Sequence, residues 1–383
     1  MGCWSSGYWS SGYRHRVKSY DLIIVGAGIV GTACADYASE QGLRVAIVEP
    51  GPIGGGATAA AMGHLVAMDD DPAELALANY SLGLWEEFTH VEQIEYNRCG
   101  TLWVASSEAE YAHIPEKIAR LAAVGAQAEL IDSEQLYRLE PSLAPGLRGG
   151  MRVPREAVVY PPGMARHLLD RARARGVVLY AQRATAITRQ GVQLDDRTGL
   201  AGAVLVATGC ALPQLLPQLP MRARKGHLVI TDRYPGLIHH QLLELGYADS
   251  AHGDADSSVA FNVQPRPTGQ ILIGSSREYS SNTPDVSMPT VRRMLERTFR
   301  YLPALRQLDA LRIWTGFRPV SADGLPYLGR LPDNAHVWVA SGHEGLGITT
   351  SLGSARLVID QYLGRATAID SRPYDPARAV ACV

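Results

Sequence analysis

The stretch from residue 20 to residue 49 constrains this chain most. Leu22, Ile23, Ile24 and Val25 form a short apolar, β-branched run that stops at Gly26-Ala27-Gly28-Ile29-Val30-Gly31. An alanine-rich pattern over 32–41 follows, closed by Gly42, and a second apolar run over 44–48 ends at Glu49. Strand, glycine turn, helix and strand in that order predict a βαβ unit with parallel strands. In such a unit Gly26 permits the tight turn, Gly28 lets backbone come close to a pyrophosphate, and Gly31 lets the helix pack against the strand. The helix N-terminus presents N–H groups to phosphate charge. Glu49, closing the second strand, can accept from both hydroxyls of an adenosine ribose and disfavours a 2′-phosphate. A glycine turn alone is a weak signal. With the strand before it, the helix after it and the acid in place, it points to a bound dinucleotide.

Two later segments bear on which dinucleotide. The run Ala203-Val204-Leu205-Val206-Ala207-Thr208-Gly209 is an apolar strand with a glycine stop. It is either an ordinary buried strand or one that returns to the nucleotide sheet. After Glu49 and Pro50 the chain is small, glycine-rich and nearly uncharged through Ala57, Thr58, Gly63, His64 and Leu65. Such a stretch can lie flat against a large planar cofactor and offer it backbone N–H groups. The alternative is a flexible surface loop, which the lack of charge disfavours.

Composition excludes several classes. The 383 residues suffice for two or three domains, and a net charge of -2 offers no basic stripe for nucleic acid. No apolar run is long enough to span a bilayer. The five cysteines are scattered and form no CxxC pair, which argues against a disulfide framework, a zinc site or an iron–sulfur cluster, and no other metal site is read. A reducing compartment fits, so the expected location is cytoplasmic, with the periphery of the inner membrane as the other place. The tandem repeat Trp4–Tyr8 and Trp9–Tyr13 lacks the apolar core of a secretory signal, and residues 1–19 are expected to be a disordered extension.

With these segments in hand, the chain resembles the D-amino acid oxidase-like FAD-dependent oxidoreductases from about residue 20 to about residue 364. The first glycine motif, the 57–65 loop and the Ala207-Thr208-Gly209 strand end carry the resemblance. So do Trp314-Thr315-Gly316-Phe317-Arg318-Pro319-Val320 with the 323–329 segment, and Gly342-His343-Glu344-Gly345-Leu346-Gly347-Ile348-Thr349. Finer features are 225–231, 239–247 and 261–265. They resemble a bacterial subgroup that includes the β subunits of D-hydroxyproline and opine dehydrogenases and the hydrogen cyanide synthase C subunit. The resemblance implies an α/β fold in which a Rossmann-type FAD domain (20–80, 150–222, 315–370) is intertwined with a smaller α+β substrate domain on a mixed sheet (81–149, 223–314). A tail, 371–383, follows. Strands are read at 229–231, 259–263 and 270–273, and helices at 75–88 and 291–301.

The resemblance also implies the site. FAD would be held by 26–31, Glu49, Pro50, Ala57, Thr58 and 63–65. Further contacts would come from Ala184, Ala207, Thr208, Gly209, Gly316, and Gly345, Leu346, Gly347, Ile348 and Thr349. Relatives that attach FAD covalently use a histidine where this chain has Ala60 and Ala61, so the FAD is expected to be non-covalent. Arg318 would hold a substrate carboxylate, because its planar fork of donors matches a carboxylate bidentately. Glu344 could attract the substrate amine. His240 and Tyr247 line the pocket or sit in the core, His64 faces the flavin or satisfies backbone, and His343 is a pocket or a packing residue. The implied reaction is hydride transfer from the α-carbon of a D-amino acid, a cyclic secondary amino acid such as D-hydroxyproline, or an opine to FAD. Two alternatives remain: a simple-amine oxidase, which Arg318 argues against, and a non-catalytic FAD-bearing relay subunit. The expected partners are a small amino-acid substrate and, in a heteromeric dehydrogenase, subunits carrying further redox centres.

Overall fold

A run as apolar as Leu22 to Val25 needs cover on both faces, and each of these residues is at most 4% exposed. A computed structural model describes residues 18–68, 71–246, 257–279 and 283–380. Tyr247, residues 1–17 of the expected extension and 381–383 of the tail lie outside the described residues. Lys18–Val25 is the middle strand of the nucleotide sheet. Val45–Val48 and then Val178–Tyr180 lie on one side of it in parallel, and Gly199–Val206 and then Asn334–Ser341 lie on the other, also in parallel. Tyr327–Leu331 closes that edge antiparallel. The strand order therefore reverses at Lys18–Val25, which opens a crevice at the carboxyl ends of the strands. The strand containing Ala203 to Val206 does return to this sheet, beside the first strand.

Helix Ile29–Glu40 packs between helices Pro161–Ala174 and Ser351–Tyr362. Its approach to the sheet depends on two glycines. A Cβ on Gly31 would collide with the Gly26 carbonyl oxygen, and Gly26 itself has φ +107° with the Ala207 carbonyl oxygen 2.5 Å from where its Cβ would be. The helix read at 75–88 runs Pro72–Trp85, because Asp71 accepts from the Ala73 and Glu74 N–H groups and Pro72 starts the first turn; a 3₁₀ turn covers Glu86–Phe88. The helix read at 291–301 is Met288–Tyr301, capped by Ser287.

The second sheet is mixed and, among the described residues, eight-stranded. Its order is Ala310–Val320, Arg222–Arg233, Gln270–Glu278, Ser257–Pro265, Gln241–Glu244, Thr101–Ala105, Gly149–Val153 and Glu129–Asp132. All neighbours are antiparallel except Gln241–Glu244 with Thr101–Ala105. The boundaries expected at 150 and 315 fall inside Gly149–Val153 and Ala310–Val320, and both strands are hydrogen-bonded into this sheet along their length. In the tail, Tyr374 is buried and donates to the Ala73 carbonyl at 2.6 Å.

The helix–strand contact gives a first prediction. Gly31→Ala should cost about 1–3 kcal/mol through overpacking and push the helix off the turn, lowering both the denaturation midpoint and the flavin retained on purification. Unchanged stability with full flavin content would show that the close approach is dispensable.

Candidate active site

The nucleotide end is built from backbone. Gly28 precedes the first turn of helix Ile29–Glu40, and no acid lies in that turn. A Cβ on Gly28 would meet only the Thr58 hydroxyl, at 3.4 Å, so the space before the helix is open to a ligand. The Glu49 carboxylate accepts from Ala27 N–H at 2.9 Å and Gly51 N–H at 2.8 Å, which fixes it at the strand end. The Ile29 N–H donates to Thr58 Oγ1 at 3.1 Å, tying the 57–65 loop to the helix. Ala207 is held by its N–H to the Val25 carbonyl, and Thr208 Oγ1 is buried without a hydrogen bond. Ala184 opens the antiparallel strand Ala184–Ile187, beside helix Leu212–Leu215. Pro50 and Ala57 are exposed. A positive helix end, a glycine with room in front of it, a positioned ribose-type acid and an orphaned hydroxyl fit a dinucleotide.

The 57–65 loop is pressed between this cradle and the mixed sheet. It contains a short helix, Ala57–Ala60, and a two-residue strand, His64–Leu65, that pairs with Ala157–Val158. Two glycines of the mixed sheet make room for it. Gly316 faces Ala60, where a Cβ would clash, and Gly274 faces the Met62 sulfur, 2.9 Å from where its Cβ would be. Gly316, expected at the cofactor, therefore packs on the loop, because the loop lies flat on that face. Gly63, at φ +88°, leaves no room for a Cβ against the Val159 carbonyl. Thr349 braces the same loop: its hydroxyl donates to the His64 carbonyl at 2.9 Å and accepts from Val66 N–H at 3.2 Å. The Thr349 carbonyl accepts in turn from Ser81 and from the Trp85 indole. Leu346 and Ile348 are buried in the turn before helix Ser351–Tyr362, whereas Gly345 is exposed.

Arg318 lies on this same sheet face. Its guanidinium folds over Gly226, where a Cβ would stand 2.5 Å from Nη1, and Nη1 donates to the Ser276 carbonyl at 3.1 Å. Arg224 is its cross-strand partner and donates to Glu344 at 3.0 Å, and Arg277 stands 3.7 Å from the same carboxylate. Burial opposes ionisation of Glu344. Arg277, Arg318 and Arg224 outweigh it and hold the carboxyl at about 2. A register shift in the pairing of Arg222–Arg233 with Gln270–Glu278 contributes to this geometry, because the second strand holds one residue more between Ile273 and Glu278 than the first holds between Val229 and Lys225. Gly274 and Arg277 are three residues apart, so a regular strand would point them to opposite faces; the bulge lets both serve the site. His64 is near Arg318 and beside the Gln264 amide, although its Nε2 makes no hydrogen bond of good geometry; burial, helped by the Arg318 charge, pushes its pKa down to about 3. It is thus a neutral ring at neutral pH.

Three expected residues take other places. Glu344 is not an acid waiting for an amine, since its carboxylate is occupied by arginines and by its neighbour's Gly345 N–H. His343 is a packing residue: its Nε2 meets Ser354 Oγ at 3.0 Å, and burial pushes its pKa down to about 4. His240 is committed to the fully buried Glu140, with Nδ1 2.8 Å from Oε1 and its own N–H on the same oxygen. Sequence reading did not single out Arg224, Arg277, Gly226 and Gln264 as site residues. Gly226 and Gln264 lie within the 225–231 and 261–265 segments it did mark, and Arg224 and Arg277 carried no signal. Among the described residues no cluster of His, Cys, Asp or Glu could hold a metal ion, and no helix is long and apolar enough to cross a membrane.

The arginine group makes two testable statements. Glu344→Gln removes the carboxylate charge that faces Arg224, Arg277 and Arg318 and should cost about 3–5 kcal/mol in denaturant unfolding. The pH dependence has a defined sign. His64 and His343 have folded pKa values below the ordinary 6.5, so the unfolded chain binds their protons first and stability falls as pH drops from about 6.5 towards 4. The Glu344 contribution is complete above the ordinary 4.5 and is lost as pH falls through about 2, a loss that Glu344→Gln should not show. An acid limb identical in both proteins would remove Glu344 from the account.

Comparison with known proteins agrees with this geometry. Residues 21–361 match the DAO family, described as FAD dependent oxidoreductase. Hydrogen cyanide synthase subunit HcnC of Pseudomonas aeruginosa is 27% identical, over 94% of this chain and 96% of its own length. Glycine oxidase of Geobacillus kaustophilus is 27% identical over 94% and 97%. The crystal structure of glycine oxidase from that organism superposes with a TM-score of 0.83, covering 94% of this chain and 99% of that one. L-proline dehydrogenase from P. horikoshii shares the fold at 19% identity, with a TM-score of 0.85 over 94% and 98%. A Rossmann-type nucleotide sheet with a reversal crevice, a loop flattened onto a mixed substrate sheet and a family match over nearly the whole chain lead to one conclusion: this chain belongs to the DAO family of FAD-dependent oxidoreductases.

Proposed function

We propose that the protein oxidises the bond between the α-carbon and the nitrogen of an amino acid whose carboxylate is held by Arg318, the substrate being a D-amino acid or a cyclic secondary amino acid of the D-hydroxyproline or opine kind. The observation that carries this reading is the Arg318 guanidinium laid over Gly226, on the sheet face that receives the 57–65 loop. In this reading FAD is held by the 26–31 turn, Glu49, Thr58, the 63–65 backbone and 207–209. When bound it supplies the two-electron acceptor for the α-hydrogen. Ala60 and Ala61 carry no group that could bond to it. Glycine oxidase of Geobacillus kaustophilus, similar across almost the whole chain, supports an amino acid as substrate.

The chain's own residues have limited tasks. Arg318 binds the carboxylate and, by doing so, sets which face of the α-carbon is presented. Glu344, held ionised, keeps Arg224 and Arg277 in place around it. The loop and the sheet exclude water from between them. Neither His64 nor His343 is poised as a base, because burial disfavours the protonated ring that proton uptake would create and holds their pKa values at about 3 and 4. The substrate must therefore arrive with its amine already neutral. The name of the HcnC relative, a subunit, favours assembly with partner chains.

Two outcomes test this. Arg318→Ala should raise KM for amino acids about 100-fold or more, as expected when a buried charge pair loses one member, with flavin content unchanged; loss of flavin instead would assign Arg318 to the cofactor. In the wild type, kcat/KM should climb tenfold per pH unit up to the pKa of the substrate amine. A plateau near neutrality would reveal a protein base that the geometry does not contain.

A further inference from the structure

The mixed sheet carries a second polar feature on the face that holds Arg318. Asn262 and Gln264 are two residues apart on Ser257–Pro265 and so share a face, while Phe261 and Val263 between and beside them belong to the apolar core on the other side. Gln241 belongs to the same face, because its neighbour Leu242 pairs with Val263 and both enter that opposite core. All three amides are buried, at 0–2% exposure. Gln241 Oε1 and Asn262 Oδ1 have no hydrogen-bond donor, and Gln264 Oε1 meets only the His64 ring, without a hydrogen bond of good geometry.

The orientation of Gln264 is fixed by chemistry. Its Nε2 donates to the Met62 carbonyl at 2.6 Å, which only the amide nitrogen can do, so the oxygen is the atom left over. Gln241 Nε2 lies 2.7 Å from Thr101 Oγ1. Asn262 pairs across the sheet with Gly274, the glycine that faces Met62. The amide row therefore borders the loop at Met62 and His64, and His64 in turn is near Arg318. Burying such an oxygen without a donor forfeits the hydrogen bonds it makes with water in the unfolded chain. Two such oxygens, with a third met only by His64, on the sheet face that carries the group proposed to hold a carboxylate, imply that donors arrive from outside the chain.

We propose that Asn262 and Gln264, extended by Gln241, form an acceptor-lined subsite that selects amino acids bearing a hydrogen-bond donor, such as a hydroxyl, on the side chain or ring. This rests on Arg318 holding the carboxylate, as proposed above. With the carboxylate at Arg318, the donor group is directed along the sheet past His64 towards the amides. An analogue lacking the donor would leave the amide oxygens desolvated and unpaired, and it is discriminated against for that reason. Asn262 and Gln264 are in this sense specificity-determining residues.

The test uses the FAD-loaded protein under anaerobic conditions and two matched pairs, D-threonine with D-valine and cis-4-hydroxy-D-proline with D-proline. Flavin bleaching should be at least tenfold more efficient for the hydroxylated member of at least one pair. Asn262→Leu and Gln264→Leu should bring that ratio to within about twofold, with flavin content and spectrum unchanged. A second reading needs no turnover: benzoate and 3-hydroxybenzoate, titrated by the perturbation of flavin absorption, should differ about tenfold in affinity in the wild type and not in the variants. Bleaching with equal efficiency across both pairs overturns the subsite and leaves the amino-acid reading intact. Discrimination between the benzoates with no bleaching by any amino acid does the reverse. Loss of flavin in the leucine variants overturns the subsite by assigning the amides to the cofactor.

Discussion

The largely buried carboxylate of Glu344 is the contact on which the site's arrangement depends. It sits in the turn after Asn334–Ser341, a strand of the nucleotide sheet, and it receives Arg224 and Arg277 from two strands of the mixed sheet. One ion group thus joins the two halves of the protein where a cofactor and a substrate must meet. Residue 344 also has φ +46°, a conformation that a side-chain-bearing residue adopts only under constraint. Its N–H donates to the Pro319 carbonyl, immediately after Arg318, so backbone and side chain both register the turn against the arginine strand.

Around that contact the architecture works by removing side chains. Gly26 and Gly31 bring a helix end down to the sheet, Gly316 and Gly274 receive the loop, and Gly226 receives the Arg318 guanidinium. The resulting surfaces are close-fitting. His64 and His343 near them are kept neutral by burial. Such a site binds and orients, and it leaves the chemistry to the cofactor.

What is legible in the sequence follows the range of each interaction. The glycine turn, its helix and Glu49 are local, and their spacing alone determines the unit. The return of Gly199–Val206 to the first strand follows from the motif at 203–209, whereas the motif at 314–320 marks Arg318 but not that its strand joins the mixed sheet. Arg224 and Arg277 are not legible, because their meeting with Glu344 depends on strand register between segments distant in sequence and on a bulge that no residue type announces. His240 is ambiguous for the same reason: its partner Glu140 is 100 residues away. The alternation Phe261, Asn262, Val263, Gln264 is visible, but which face is buried against the loop is not. The boundaries read at 150 and 315 fall inside Gly149–Val153 and Ala310–Val320, whose pairing in the mixed sheet is a long-range property that no local residue pattern displays.

The central claim is that this FAD-dependent oxidoreductase grips its substrate by a carboxylate. The most direct measurement is an anaerobic titration of the flavin's visible absorption with D-proline and with pyrrolidine, its carboxylate-free analogue. The account predicts bleaching by the acid at concentrations where the amine does nothing. Equal bleaching by both, or bleaching by pyrrolidine alone, would contradict it.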